Sequence, residues 1–159
     1  LWGKRAVVED HFNELVIDLV NPAGQPERMQ LVVRGYNDGF AFCYKIPDGK
    51  GPCVNVQSEL TAYNFAGDYT AWFYNGENHN IGPEKLTETD GTRLPVMTVK
   101  AGDKNYMAIH EACLETGAPL VLQSKGGNRS FRSLPSRPVC RRDIHQPGVS
   151  FCMGRHLAC

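Results

Sequence analysis

Two segments hold residues whose types and spacing could do chemistry. Residues 59–74 gather Tyr63, Phe65, Tyr69, Trp72, Phe73 and Tyr74 around a Gly67-Asp68 turn. Aromatic faces stack on the C–H face of a pyranose, and nearby carboxylates and amides bind its hydroxyls. Tyr63, Asp68, Tyr69 and Trp72 are therefore the candidate carbohydrate-binding residues. Pattern alone favours a plainer reading, a strand–turn–strand whose rings fill a β-sandwich core.

The second segment is Tyr106-Met107-Ala108-Ile109-His110-Glu111-Ala112. As a strand it places Met107, Ile109 and Glu111 on one face, and Tyr106, Ala108 and His110 on the other. A carboxylate ending an apolar face must be solvated, paired or bound to a cation. Glu111 is thus a candidate oxygen ligand for a hard cation such as Ca²⁺, although a solvated strand end is the simpler reading. His110-Glu111 is no zinc motif, because the second His is missing.

Other chemistry is thin. No Gly-rich phosphate loop follows a strand, and G-x-S-x-G, C-x-x-C and H-E-x-x-H are all missing. Carboxylates are plentiful (Glu59, Asp68, Glu84, Glu111, Glu115), but nothing in the sequence pairs two of them as glycoside hydrolysis requires. Six cysteines allow about 15 pairings, and their spacing selects none. Cys43 and Cys113 read as small buried residues on strands.

The elements that must position these residues read as β. Hydrophobic alternation of period two runs through 13–20, where Leu15, Ile17 and Leu19 share a face. It recurs through 29–34 and 40–46, and more weakly through 60–65, 70–74, 95–100, 105–111 and 119–123. Asn37-Asp38-Gly39, Asp48-Gly49, Asp90-Gly91 and Ala101-Gly102-Asp103 are turn signals between them. No stretch carries a helical stripe. The expected fold class is all-β, an antiparallel β-sandwich with an irregular C-terminal tail.

The 159 residues fit one domain with a buried core. Lys+Arg and Asp+Glu are both 17, so the chain lacks the positive excess of a nucleic-acid or polybasic membrane binder. No apolar run approaches a membrane span. The balance hides an asymmetry. Residues 133–159 hold four Arg and one Asp, a charge of +3, which leaves −3 for residues 1–132. The division is therefore 1–132 as the β domain and 133–159 as a divergent tail. The tail's Arg, Cys, Pro and His without Lys or Glu suggest a shifted reading frame. The start at Leu1-Trp2-Gly3 reads as cut from something longer.

Five blocks carry a resemblance. They are Trp2-Gly3, His11-Phe12-Asn13-Glu14-Leu15, the run from Leu31 through Arg34-Gly35-Tyr36-Asn37-Asp38-Gly39 to Tyr44, the run from Glu59 to Trp72, and Ala108-Ile109-His110-Glu111-Ala112. In this order and spacing, over roughly residues 2–125, the chain resembles the N-terminal domain of glycoside hydrolase family 97. The resemblance implies a bacterial, exo-acting α-glucosidase or α-galactosidase, set in the periplasm or another extracytoplasmic space. It implies a β-supersandwich, of which this chain holds part, packed on the active-site face of a (β/α)₈ barrel that carries the catalytic carboxylates. It implies an α-linked oligosaccharide as substrate. It also implies a Ca²⁺ site to which Glu111 gives one ligand and the barrel the others.

The expectation is a non-catalytic fragment, inactive alone and with low Ca²⁺ affinity, that partners a catalytic barrel and no nucleic acid or membrane. The alternatives are a stand-alone carbohydrate-binding β-sandwich using Tyr63, Tyr69 and Trp72, and a gene fragment without function.

Overall fold

The computed structural model describes residues 7, 9–23, 28–45, 60–76, 80–113, 119–134 and 152–158. Among them the regular structure is all strand. The order is β1 (Asn13–Val20), β2 (Arg28–Tyr36), β3 (Gly39–Lys45), β4 (Ala62–Asn64), β5 (Thr70–Tyr74), β6 (Asn80–Lys85), β7 (Asp90–Lys100), β8 (Tyr106–Cys113), β9 (Leu122–Lys125), β10 (Ser130–Ser133) and β11 (Cys152–Ala158). Every pairing is antiparallel.

One ladder runs β1-β2-β3-β11-β8-β7, with β5 on β7 and β6 beyond it. A second runs from β7 through β9 and β10 to β4. The long strand β7 serves both. Its residues 97–100 pair with β8, and Asp90, Gly91, Thr92 and Arg93 pair with β9. Between these halves the β5 register slips, from Trp72↔Thr98 to Tyr74↔Leu94. Such an irregularity bends a strand, and here it lets β7 pass from one layer to the other.

The core lies between the two layers. Ala71, Phe73, Met97, Val99, Met107 and Ile109 pack with Leu120, Leu122 and Phe131, and Leu86 is buried in the same cluster. The Phe73 and Phe131 rings lie 5.6 Å apart, and Phe65 meets Phe131 edge-on at 6.2 Å. This is the arrangement of a sandwich, and the all-β antiparallel expectation holds.

Directly opposed residues of an antiparallel pair share a face. The register therefore traces the core face across the sheet. Leu15 opposes Val33, which opposes Phe42, and Ile17 opposes Leu31, which opposes Tyr44. Phe42 opposes Met153 of β11, which opposes Glu111 of β8. At the β5–β7–β8 end this face is sealed by β9 and β10. At the β1–β2 end it is open, with Leu15 58% and Ile17 38% exposed. On the opposite face Arg34 pairs with Glu14 at 2.7 Å and lies 4.2 Å from the centre of the Phe12 ring. The Glu14 hydrogen bond holds the Arg34 guanidinium above its ordinary value.

The tail departs from the irregular chain expected over 133–159. Ser133 belongs to β10 and is buried, so the division drawn after Arg132 falls inside a strand. Residues 152–158 form β11, inserted between β3 and β8. There its backbone satisfies the facing edges of both neighbours, a gain that does not depend on hydrophobic alternation. Residues 135–151 lie outside the described residues.

Candidate functional site

The structure divides the aromatic segment between two faces. In β5, Ala71 and Phe73 are fully buried and Trp72 points the other way. Tyr63, Phe65 and Tyr69 pack against the core cluster. Phe65 and Tyr69 meet edge-on at 6.5 Å. Four rings of the segment thus serve the interior. Trp72 stands apart on the outer face, with its ring 6.5 Å from Tyr106.

Asp68 is held by its neighbours. Its Oδ1 accepts from the Thr87 backbone N–H at 3.1 Å, and its Oδ2 accepts from Thr87 Oγ1 at 3.0 Å. Its carbonyl accepts from Lys85 Nζ at 3.2 Å. The carboxylate therefore ties the approach to β5 onto the turn between β6 and β7. The same corner is fixed by Arg129, whose guanidinium donates to the Ala66 carbonyl and whose own carbonyl accepts from Phe65 N–H at 3.0 Å. Of the four candidate sugar ligands, Tyr63 and Tyr69 lie against the core and Asp68 is engaged at a turn. Only Trp72 is on the outer face.

The faces expected for the second segment are as observed: Met107 and Ile109 are buried, with Tyr106 on the other side. Glu111 follows Ile109 on the core face and is half-buried. It sits where the sealed half of that face gives way to the open half, since its ladder neighbours lead through Met153 to Phe42. The hydrogen bond recorded there joins its backbone carbonyl to His110 Nδ1 at 2.9 Å and leaves the carboxylate out. Among the described residues no group of three His, Cys, Asp or Glu side chains is gathered as a metal would need.

The other described carboxylate of interest, Glu84, is paired internally. It accepts from Arg93 Nη2 at 3.4 Å and from Thr89 Oγ1 at 3.3 Å, and the Arg93 guanidinium carbon lies 5.8 Å from the centre of the Phe73 ring. Arg93 Nε and Ser124 Oγ are buried without hydrogen-bond partners nearby. Glu59 and Glu115 lie outside the described residues. Sequence reasoning missed Tyr106 as the neighbour of Trp72. The signal was present in its assignment to the face opposite Met107 and Ile109, but two rings from separate strands meet only once the β5-β7-β8 order is known.

Comparison with known proteins agrees with this architecture. The chain is 31% identical over 124 residues to a probable retaining α-galactosidase of Streptomyces bingchenggensis, covering 77% of this chain and 16% of that protein. It is 32% identical over 114 residues to the retaining α-galactosidase of Bacteroides thetaiotaomicron, covering 60% of this chain and 17% of that protein. It therefore spans about one-sixth of these relatives. A glycoside hydrolase family 97 enzyme from Pseudoalteromonas sp. strain K8, solved with acarbose and with panose, superposes with a TM-score of 0.76 at 22% identity. That match covers 99% of this chain and 25% of the enzyme, and it shows the same fold. The profile of the family described as glycosyl-hydrolase 97 N-terminal matches residues 1–140. By that match, the chain belongs to the N-terminal domain family of glycosyl hydrolases 97.

Proposed function

We propose that this chain is the non-catalytic N-terminal domain of an exo-acting α-glycosidase, and that it works by packing on the active-site face of a (β/α)₈ barrel. The observation that carries this reading is the open half of the core face. Leu15, Ile17, Met29 and Phe40 are exposed on a surface continuous with the buried core. An apolar face of this kind is stabilised when another surface covers it. The relatives are several times longer than this chain and supply polypeptide that could do so.

Glu111 lies at the margin of that open half and gives the domain a chemical contribution as well as a mechanical one. It offers one oxygen to a Ca²⁺ shared with the barrel, whose own groups complete the six to eight ligands such an ion takes. That ion would supply fixed positive charge close to the substrate. The substrate class is an α-linked glucoside or galactoside, and the setting is extracytoplasmic, both by analogy with the family.

The test is a chimera. The chain replaces the matched 114-residue segment of the Bacteroides α-galactosidase, and α-galactoside hydrolysis is measured. Activity that is retained, and then lost in an Ile17→Lys chimera, supports the packing role. A chimera that melts cooperatively but has no activity, or one indifferent to Ile17→Lys, contradicts it.

A further inference from the structure

Trp72 and Tyr106 form a ring pair that the interior does not use. Trp72 opposes Thr98 across β5–β7, and Thr98 opposes Ala108 across β7–β8. One step along, Thr70 opposes Lys100, and Lys100 opposes Tyr106. The two rings therefore reach diagonally over β7 from either side, with centroids 6.5 Å apart and planes tilted by 37°. Tyr106 is 36% exposed and Trp72 is half-buried. Gly82 of β6 leaves room for the indole, since a Cβ there would come within 3.1 Å of Trp72 Cδ1.

Polar groups border the rings. Thr70, Thr98 and Lys100 project from the same face. Among the described residues neither their side chains nor the indole N–H have a hydrogen-bond partner. Two adjacent, mutually tilted rings edged by hydroxyl, ammonium and indole donors suit a ligand with C–H faces and a rim of hydroxyls. Among the described residues, the positions paired with Trp72 and Tyr106 across the sheet are Thr98 and Lys100, neither of them a carboxylate.

We propose that the outer face of β5, β7 and β8 is a carbohydrate-docking surface, with Trp72 and Tyr106 as the stacking platform and Thr98 and Lys100 as hydroxyl ligands. It would take a neutral α-linked oligosaccharide. The choice of sugar rests on the glycosidase reading above, since the enzyme sharing this fold was solved with acarbose and panose. The surface itself is separate from the open apolar face. It would hold substrate near the enzyme without taking part in bond cleavage.

The test titrates the purified chain with panose, and separately with raffinose as an α-galactosyl arm, while following tryptophan emission and heat. The expected result is a saturable change in emission that disappears in Trp72→Phe, which leaves Trp2 as background. Tyr106→Ala should weaken affinity roughly tenfold or more. Tyr63→Phe should leave affinity unchanged. Lys100→Met keeps the aliphatic stem, tests the polar edge without touching the core, and should weaken affinity severalfold. No saturable signal with either sugar overturns the proposal, as does binding indifferent to Tyr106→Ala. Because the chimera assay reads packing and activity, and this titration reads sugar on the isolated chain, failure of one is distinguishable from failure of the other.

Discussion

Trp72 and Phe73 are consecutive residues of β5 that stand on opposite faces of the sheet. Phe73 is fully buried against Phe131, and Trp72 lies on the outer face beside Tyr106. The period of a strand makes this unavoidable: one residue of separation changes face. Unfolding in urea should read the difference. Phe73→Ala removes a ring from a closed core and should cost about 3–5 kcal/mol. Trp72→Phe keeps an aromatic on a half-exposed site and should cost under about 1.5 kcal/mol. Equal losses would show that both rings are interior.

The Asp68 carboxylate is a structural clamp on Thr87. Asp68→Ala removes both hydrogen bonds from an exposed corner and should lower stability by about 1 kcal/mol. Asp68→Asn keeps one acceptor and should lose less. In a thermal melt this ordering is the expected outcome, and panose affinity should stay the same in both variants. Sugar binding lost in Asp68→Asn without a change in melting would make Asp68 a ligand instead.

Gly82 takes φ +118° in β6, and a Cβ added there would sit 2.6 Å from the Ala71 carbonyl oxygen. Both the backbone angle and the close approach favour glycine. Gly82→Ala should therefore destabilise the domain by about 1–3 kcal/mol, and it should move Trp72. A blue or red shift of Trp72 emission should accompany the loss. An unchanged spectrum with unchanged stability would mean that β6 is free to draw away.

Much of the sheet was legible in the sequence. The alternation in 13–20 and 70–74 coincides with β1 and β5. Three strands were not legible, for physical reasons. β6 contains Gly82-Pro83 at the sheet's edge, where burial imposes no alternation. β10 has four residues, of which Phe131 alone is large and apolar. In β11, Gly154, Arg155 and His156 break the pattern between Met153 and Leu157. Asp90-Gly91 read as a turn but opens β7, because the chain has already turned at Leu86-Thr87-Glu88. In the site, the faces of β8 could be assigned from Met107 and Ile109. The separation of Tyr63 and Tyr69 from Trp72 could not, because it depends on β10 and β4 closing over one side of β5.

In the proposed role the domain lends surface and one metal ligand to a glycosidase and performs no catalysis of its own. Hydrolysis of p-nitrophenyl α-galactoside and α-glucoside by the purified chain, with Ca²⁺ present, is the decisive measurement. Release of p-nitrophenol should match the rate of buffer alone for both substrates. Sustained release that scales with the amount of chain and survives further purification would contradict it.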